Sequence, residues 1–155
     1  MKTCETTSSS SQLDRDGKDS HRRRPGGRTY IDLNRTIDRP KAIDYVEFVV
    51  LMPMNSGFTL GVFRRKSGNV FECVDSQHLG TLPQGPGTIS GLALEAASGD
   101  YVGCFFATGA IAVTESRGLS GLLSAVGDHT AAGSVTTYEE SGGQELLLSV
   151  TGENI

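Results

Sequence analysis

The chain has 155 residues, 20 of them glycine and none tryptophan, a length that fits one domain and a tail. So many glycines exclude an architecture of long helices, since each inside a helix costs about 1 kcal/mol relative to alanine. The net charge of −4 is divided, ten Lys/Arg against six Asp/Glu over residues 1–41 and four against twelve over 42–155, and so acidic a body excludes nucleic acid as the main partner of the folded part.

Residues 1–28 are polar, charged and serine-rich, with Leu13 the one large aliphatic side chain after Met1. They bury too little apolar surface to offset ordering entropy and are expected to form a disordered basic tail. No signal peptide and no membrane-spanning run is expected anywhere in the chain. The body, 29–155, opens with a short strand at Tyr30, Ile31 and Leu33, followed by a polar connection through Asn34, Asp38 and Pro40. Residues 43–52 form the most apolar strand, with Val46, Phe48, Val50 and Met52 sharing the parity that faces the core. After a turn over Pro53, Asn55, Ser56 and Gly57, a strand carrying Phe58, Leu60 and Val62 runs to Arg64-Arg65-Lys66. Ser67-Gly68-Asn69 then closes a hairpin onto residues 70–75.

Residues 79–82 are a short strand, and Pro83-Gln84-Gly85-Pro86-Gly87 reads as a loop that no regular element crosses. Ile89, Leu92 and Leu94 resume the apolar pattern. Residues 98–113 hold two apolar runs around Thr108-Gly109 and read as a second hairpin. Residues 118–128 fit either a short helix or a strand, and strands at 134–138 and 145–150 flank a Ser141-Gly142-Gly143 turn. Roughly nine or ten short strands without βαβ alternation predict an all-β fold, an antiparallel two-sheet β-sandwich.

The order of these segments carries a resemblance. It consists of Tyr-Ile-Asp-Leu at 30–33, FTLGVFRRKSGNVFECVDSQHLGTL at 58–82, a glycine-rich loop, GDYVGCFFATGAIAV at 99–113, Gly127-Asp128, and LLLSVTGE at 146–153. The chain resembles the jelly-roll-like β-sandwich accessory modules of bacterial, archaeal and phage surface or structural proteins. A less extensive resemblance, GDYVGCFF at 99–106 followed by LSGLL at 119–123, is to C1q/TNF-like jelly rolls. Both imply a non-catalytic module without a cofactor, one that presents loops or self-associates, on a cell or virion surface as part of a larger assembly. A carbohydrate-binding module that recognises a surface glycan is the alternative.

Candidate chemistry is sparse. Gly118-Leu119-Ser120-Gly121-Leu122 lacks the last glycine of a nucleophile elbow. Cys73 or Cys104 with His78 or His129 would be a nucleophile and base, but cysteines in apolar strands are usually buried and inert. Those two cysteines could also bridge across the sandwich; free thiols are the expectation. Asp14, Asp16 and Asp19 imitate the start of a calcium loop without its closing glutamate. Asp75, Asp100 and Asp128 stand at strand ends, where they would either hold a structural calcium or serve the turns. Glu139-Glu140, or Glu95 with Asp100, supply carboxylates of the type used in glycoside hydrolysis, with solvated exposure expected. The run His21-Arg22-Arg23-Arg24 lies in the expected tail. Arg64-Arg65-Lys66 is expected to guard an edge strand, with Arg64 and Lys66 on one face and Arg65 on the other. Tyr30, Tyr45, Tyr101 and Tyr138 and the phenylalanines belong to strands, so no sugar-stacking platform stands out.

Overall fold

The structure, a computed structural model, describes residues 22–155. It is all-β, as the strand pattern predicted, with two antiparallel sheets and no helix among the described residues. The strands are β1 (Arg22–Pro25), β2 (Arg28–Thr36), β3 (Lys41–Met52), β4 (Met54–Ser67), β5 (Val70–Leu82), β6 (Gly85–Ala96), β7 (Tyr101–Phe106), β8 (Ala110–Glu115), β9 (Leu122–Val126), β10 (Val135–Thr137), β11 (Glu139–Ser141), β12 (Gln144–Leu146) and β13 (Leu148–Asn154).

One sheet has six strands. The path β1-β8-β3-β13 is its spine, with β6 on the other side of β3 and β12 beside β8. Strands β3 and β8 touch only near Val50 and Met52, then diverge, and β12 and β13 wedge into the fork. At the apex the backbone of Leu147 bonds both, donating to Ala112 O and accepting from Val49 N. The other sheet has seven strands in the order β10-β5-β4-β7-β2-β9-β11. Its terminal strands are consecutive in the chain, joined through Tyr138 alone, so the sheet nearly closes into a barrel.

Two cores result. Between the sheets lie Tyr30, Val46, Phe48, Phe58, Leu60, Phe106 and their neighbours. Within the curl of the seven-stranded sheet lie Ile31, Phe63, Phe71, Cys73, Leu123, Ala125 and Tyr138. Alternation explains the division: on β4, Phe58, Leu60 and Val62 serve the first core and Phe63 the second.

The hairpin over 58–75 is present, closing with Ser67 opposite Val70, and its return strand continues through residues 79–82 to Leu82. The hairpin expected over 98–113 is not. Strand β7 lies between β4 and β2 in one sheet and β8 between β1 and β3 in the other. Apolar residues on both parities call for a central strand in each case, and each run finds its two flanking strands in a different sheet. Residues 107–109 therefore cross between sheets, beside the crossing at Pro53. Gly109, at φ +101°, passes so close that a Cβ would sit 2.6 Å from Pro53 O and 2.7 Å from Met52 O. Gly109→Ala is accordingly expected to destabilise the protein by at least about 2 kcal/mol in urea unfolding; a change within about 0.5 kcal/mol would show that the crossings are free to separate.

Other expectations are corrected. The fold begins before residue 29, because Arg22–Pro25 pairs with β8; residues 1–21 of the expected tail lie outside the described residues. Arg22 meets Glu115 at 3.3 Å, and the Arg24 guanidinium covers the Tyr30 ring at 5.4 Å and donates to Ser141 Oγ at 3.2 Å. Strand β1 is thus a cation-bearing edge, while β4 is flanked by β5 and β7 only as far as Phe63, and Arg64-Arg65-Lys66 lie beyond β7 with β5 as their one partner among the described residues. Met52 is 48% exposed rather than core, since the ladder shifts register between Val50 and Met52 and alternation is lost as the chain leaves the sheet. Residues 118–128 contain strand β9 and no helix.

The expected 83–87 loop is shorter, because Gly85-Pro86-Gly87 already pairs with β3. Val49 N points to Leu147, so the neighbouring backbone groups of Phe48 and Val50 point to β6, where they bond Gly87 and Gly85. The Pro86 nitrogen then faces away from the ladder, the one orientation in which a strand tolerates proline. Glycine at 87 also makes room for Phe48, whose ring a Cβ would approach to 2.6 Å.

Candidate functional site

The residues with the richest chemistry are built into the frame. Asp100, 1% exposed, accepts from Arg64 Nε and Nη2 at 2.9 and 3.0 Å and from Ala97 N at 2.8 Å. This fork-to-fork pair anchors the turn before β7, and the bonds to Asp100 raise the Arg64 pKa further. Arg65 lies over Phe71 and Tyr101, at 5.0 and 5.6 Å, and Lys66 reaches Glu72 at 3.3 Å. Asp75 accepts from Ser76 N and from Glu95 N of β6, both at 2.9 Å. Asp128 accepts from the backbone N–H and hydroxyl of Thr130. The three aspartates expected at strand ends therefore serve three different turns or strands. Among the described residues no group of three or more His, Cys, Asp or Glu is placed to hold a metal ion; Asp14, Asp16 and Asp19 lie outside them.

Cys73 and Cys104 are free and buried, in different cores and on strands separated by β4. Burial pushes the Cys73 thiol up to about 11 and the Cys104 thiol higher still, so both are protonated thiols at neutral pH. Cys73 Sγ is directed to the carbonyls of Asp75 and Thr130. His78 shares a hydrogen bond with Thr59 at 3.1 Å. His129 is held at both ring nitrogens, by Val126 O at 2.7 Å and Thr136 Oγ1 at 3.0 Å. With Arg28, Ser124 and Glu139 it lines a polar recess of about 240 Å³ at the seam between β9 and β10. Ser120 lies in the exposed connection before β9, its N–H given to Asn34 Oδ1. Glu139 and Glu140 are exposed on β11, Glu139 3.8 Å from Arg28; Glu95 is exposed and Asp100 is not. Of the tyrosines, Tyr30 and Tyr138 are core residues, and Tyr45 and Tyr101 are half-buried.

Sequence reasoning missed Asp32. It is 0% exposed, accepts from Asn34 N and Nδ2 at 2.9 and 2.7 Å, and accepts from Leu146 N of the opposite sheet at 3.2 Å. Asn34 in turn donates to Gln144 O at 2.7 Å. Burial raises the Asp32 pKa, while its bonds from Asn34 and Leu146 pull the other way. An acidic residue inside an apolar strand with Asn two positions on was the available signal.

The outer side of the six-stranded sheet near β6 is also accessible. A groove of about 480 Å³ crosses β6, β3 and β13, lined by Val49, Pro86 and Leu147 with Glu47, Thr88 and Ser149, and bounded by Arg35. Beside it runs the free edge of β6. Over its second half that edge is capped by β5, whose Gln77 and Asp75 accept from Ala93 N and Glu95 N, each at 2.9 Å. Over its first half, residues 85–90, its one partner among the described residues is β3. Set against family models, curated proteins and solved structures, the chain matches none.

Proposed function

We propose that the chain is a non-catalytic structural module that works by assembling with other copies of itself. The observation that carries this reading is the open, uncharged edge of β6. Edge strand β1 is guarded by three arginines and a proline, the edges of the seven-stranded sheet are joined through β10 and β11, and half of β6 is capped by side chains. An uncharged stretch of β6 is left open, and open edges are templates for pairing. The engagement of Asp32, Asp75, Asp100, Cys73 and His129 within the frame supports the same reading, since none is poised to attack a substrate. Light scattering on the purified chain across a wide concentration range should show reversible association; a strict monomer at the highest concentration would overturn the proposal.

One observation favours a second reading, binding of a surface glycan. The groove combines an apolar floor with carboxylate, guanidinium and hydroxyl groups, a mixture that suits a sugar's apolar face and hydroxyl rim. Binding on a glycan array that is lost in Glu47→Ala would support it, and a blank array would sink it.

A further inference from the structure

We propose that residues 85–91 of β6 pair antiparallel with the same residues of a second copy, across a two-fold axis at Thr88. This rests on the assembly reading above and names its surface. Because Gly85 and Gly87 bond β3, the backbone groups of Pro86, Thr88 and Ser90 point outward from the edge. A two-fold at Thr88 sets Thr88 opposite Thr88 and Pro86 opposite Ser90. Each Thr88 N–H then donates to the other copy's Thr88 carbonyl, and each Ser90 N–H to the other copy's Pro86 carbonyl. The missing proline donor leaves only the Ser90 carbonyl without a strand partner.

Other registers do worse. Centring on Pro86 places two absent donors face to face. Moving the axis to residue 89 drives Pro86 against Leu92, where the β6–β3 ladder breaks register between residues 90 and 94. The axis at Thr88 keeps its hydrogen-bonded pairs, residues 86–90, within the regular stretch. Such an interface is isologous, the commonest way for identical chains to associate.

Charge permits it as well. Residues 85–91 carry no ionisable side chain, although the chain as a whole is acidic. The nearest outward carboxylate is Glu47, opposite Thr88 on β3. Three strand spacings would separate it from its symmetry mate, about 14 Å, which is beyond the screening length of about 8 Å at physiological salt.

The test uses the full chain carrying Cys4→Ser, so that with Cys73 and Cys104 buried an added cysteine is the reactive one. In a hydrogen-bonded antiparallel pair the Cα atoms are about 5.5 Å apart, within disulfide reach. Thr88→Cys should therefore give a covalent dimer as the main product of mild oxidation, whereas Ser98→Cys, on an exposed turn, should not. Thr88→Pro removes the outward N–H without touching the β3 ladder and should weaken association at least tenfold by analytical ultracentrifugation. Thr88→Lys is a second blocker should proline disturb the strand. If the parent chain associates but Thr88→Cys fails to cross-link, or neither blocker weakens association, this pairing is wrong while the assembly reading stands. A parent chain that stays monomeric overturns both.

Discussion

Replacing Asp32 with alanine is expected to lower the free energy of unfolding by about 3–5 kcal/mol. The carboxylate accepts three hydrogen bonds, and one of its donors, Leu146 N, belongs to the other sheet. Alanine leaves that buried amide and the Asn34 backbone N–H without acceptors and takes one of the acceptors of Asn34 Nδ2, at about 1–3 kcal/mol for each group that water cannot reach. Asp32→Asn keeps the shape and one acceptor oxygen but turns an amide NH₂ toward Leu146 N–H, so roughly half the loss is expected. The pH dependence carries its own sign. Burial, the largest influence, raises the folded-state pKa above the unfolded value, so the contribution of Asp32 is fully present below the unfolded pKa. It is lost as pH rises through the folded one. The margin of the native protein over Asp32→Asn should accordingly narrow as pH climbs from the ordinary carboxylate value of about 3.9. Urea unfolding of both proteins over that range checks it, and a margin that widens with pH would mean that the hydrogen bonds to the charged form outweigh burial.

Tyr138→Ala should cost a similar amount, about 3–5 kcal/mol, and should also act locally. Tyr138 is 3% exposed and meets the Phe63, Phe71 and His129 rings edge-on at 6.3, 6.0 and 6.3 Å. It is the single residue between β10 and β11, so it both fills the second core and holds the strap that closes the sheet. Truncating it should release the strap more easily than it separates the two sheets. Cys73, in that core, should then react with a thiol reagent before Cys104, which lies between the sheets. Equal reaction rates would show that the two cores open together.

Fold class was legible because alternation is a local signal: Val46, Phe48 and Val50, or Phe58, Leu60 and Val62, announce strands without help from the rest of the chain. Which strands share a sheet was not. Residues 101–106 and 110–115 have the grammar of a hairpin, and that their flanking strands lie in different sheets is decided only by the finished fold. Gly85-Pro86-Gly87 read as a loop because proline cannot donate, whereas on an edge the donor is not required. Arginines at 22–24 read as tail for want of apolar neighbours, and only the finished fold shows the strand they pair with. The Asp32–Asn34 brace spans residues 32, 34, 121, 144 and 146, a juxtaposition made only by the finished fold.

The fork between β3 and β8 has a consequence for how the protein is made. Its filling strands come from the far half of the chain, with Leu148 opposite Phe48 and Leu146 opposite Val113. Until they arrive, an emerging chain holds two apolar strands, β3 and β8, each with a row of backbone groups facing nothing. Long-range pairings of this kind form slowly, on the order of milliseconds to seconds, and unpaired edges invite neighbours in the meantime. A chain cut short before residue 144 should therefore meet chaperones or aggregate during synthesis, whereas one that retains β12 and β13 seals the gap with its last strands.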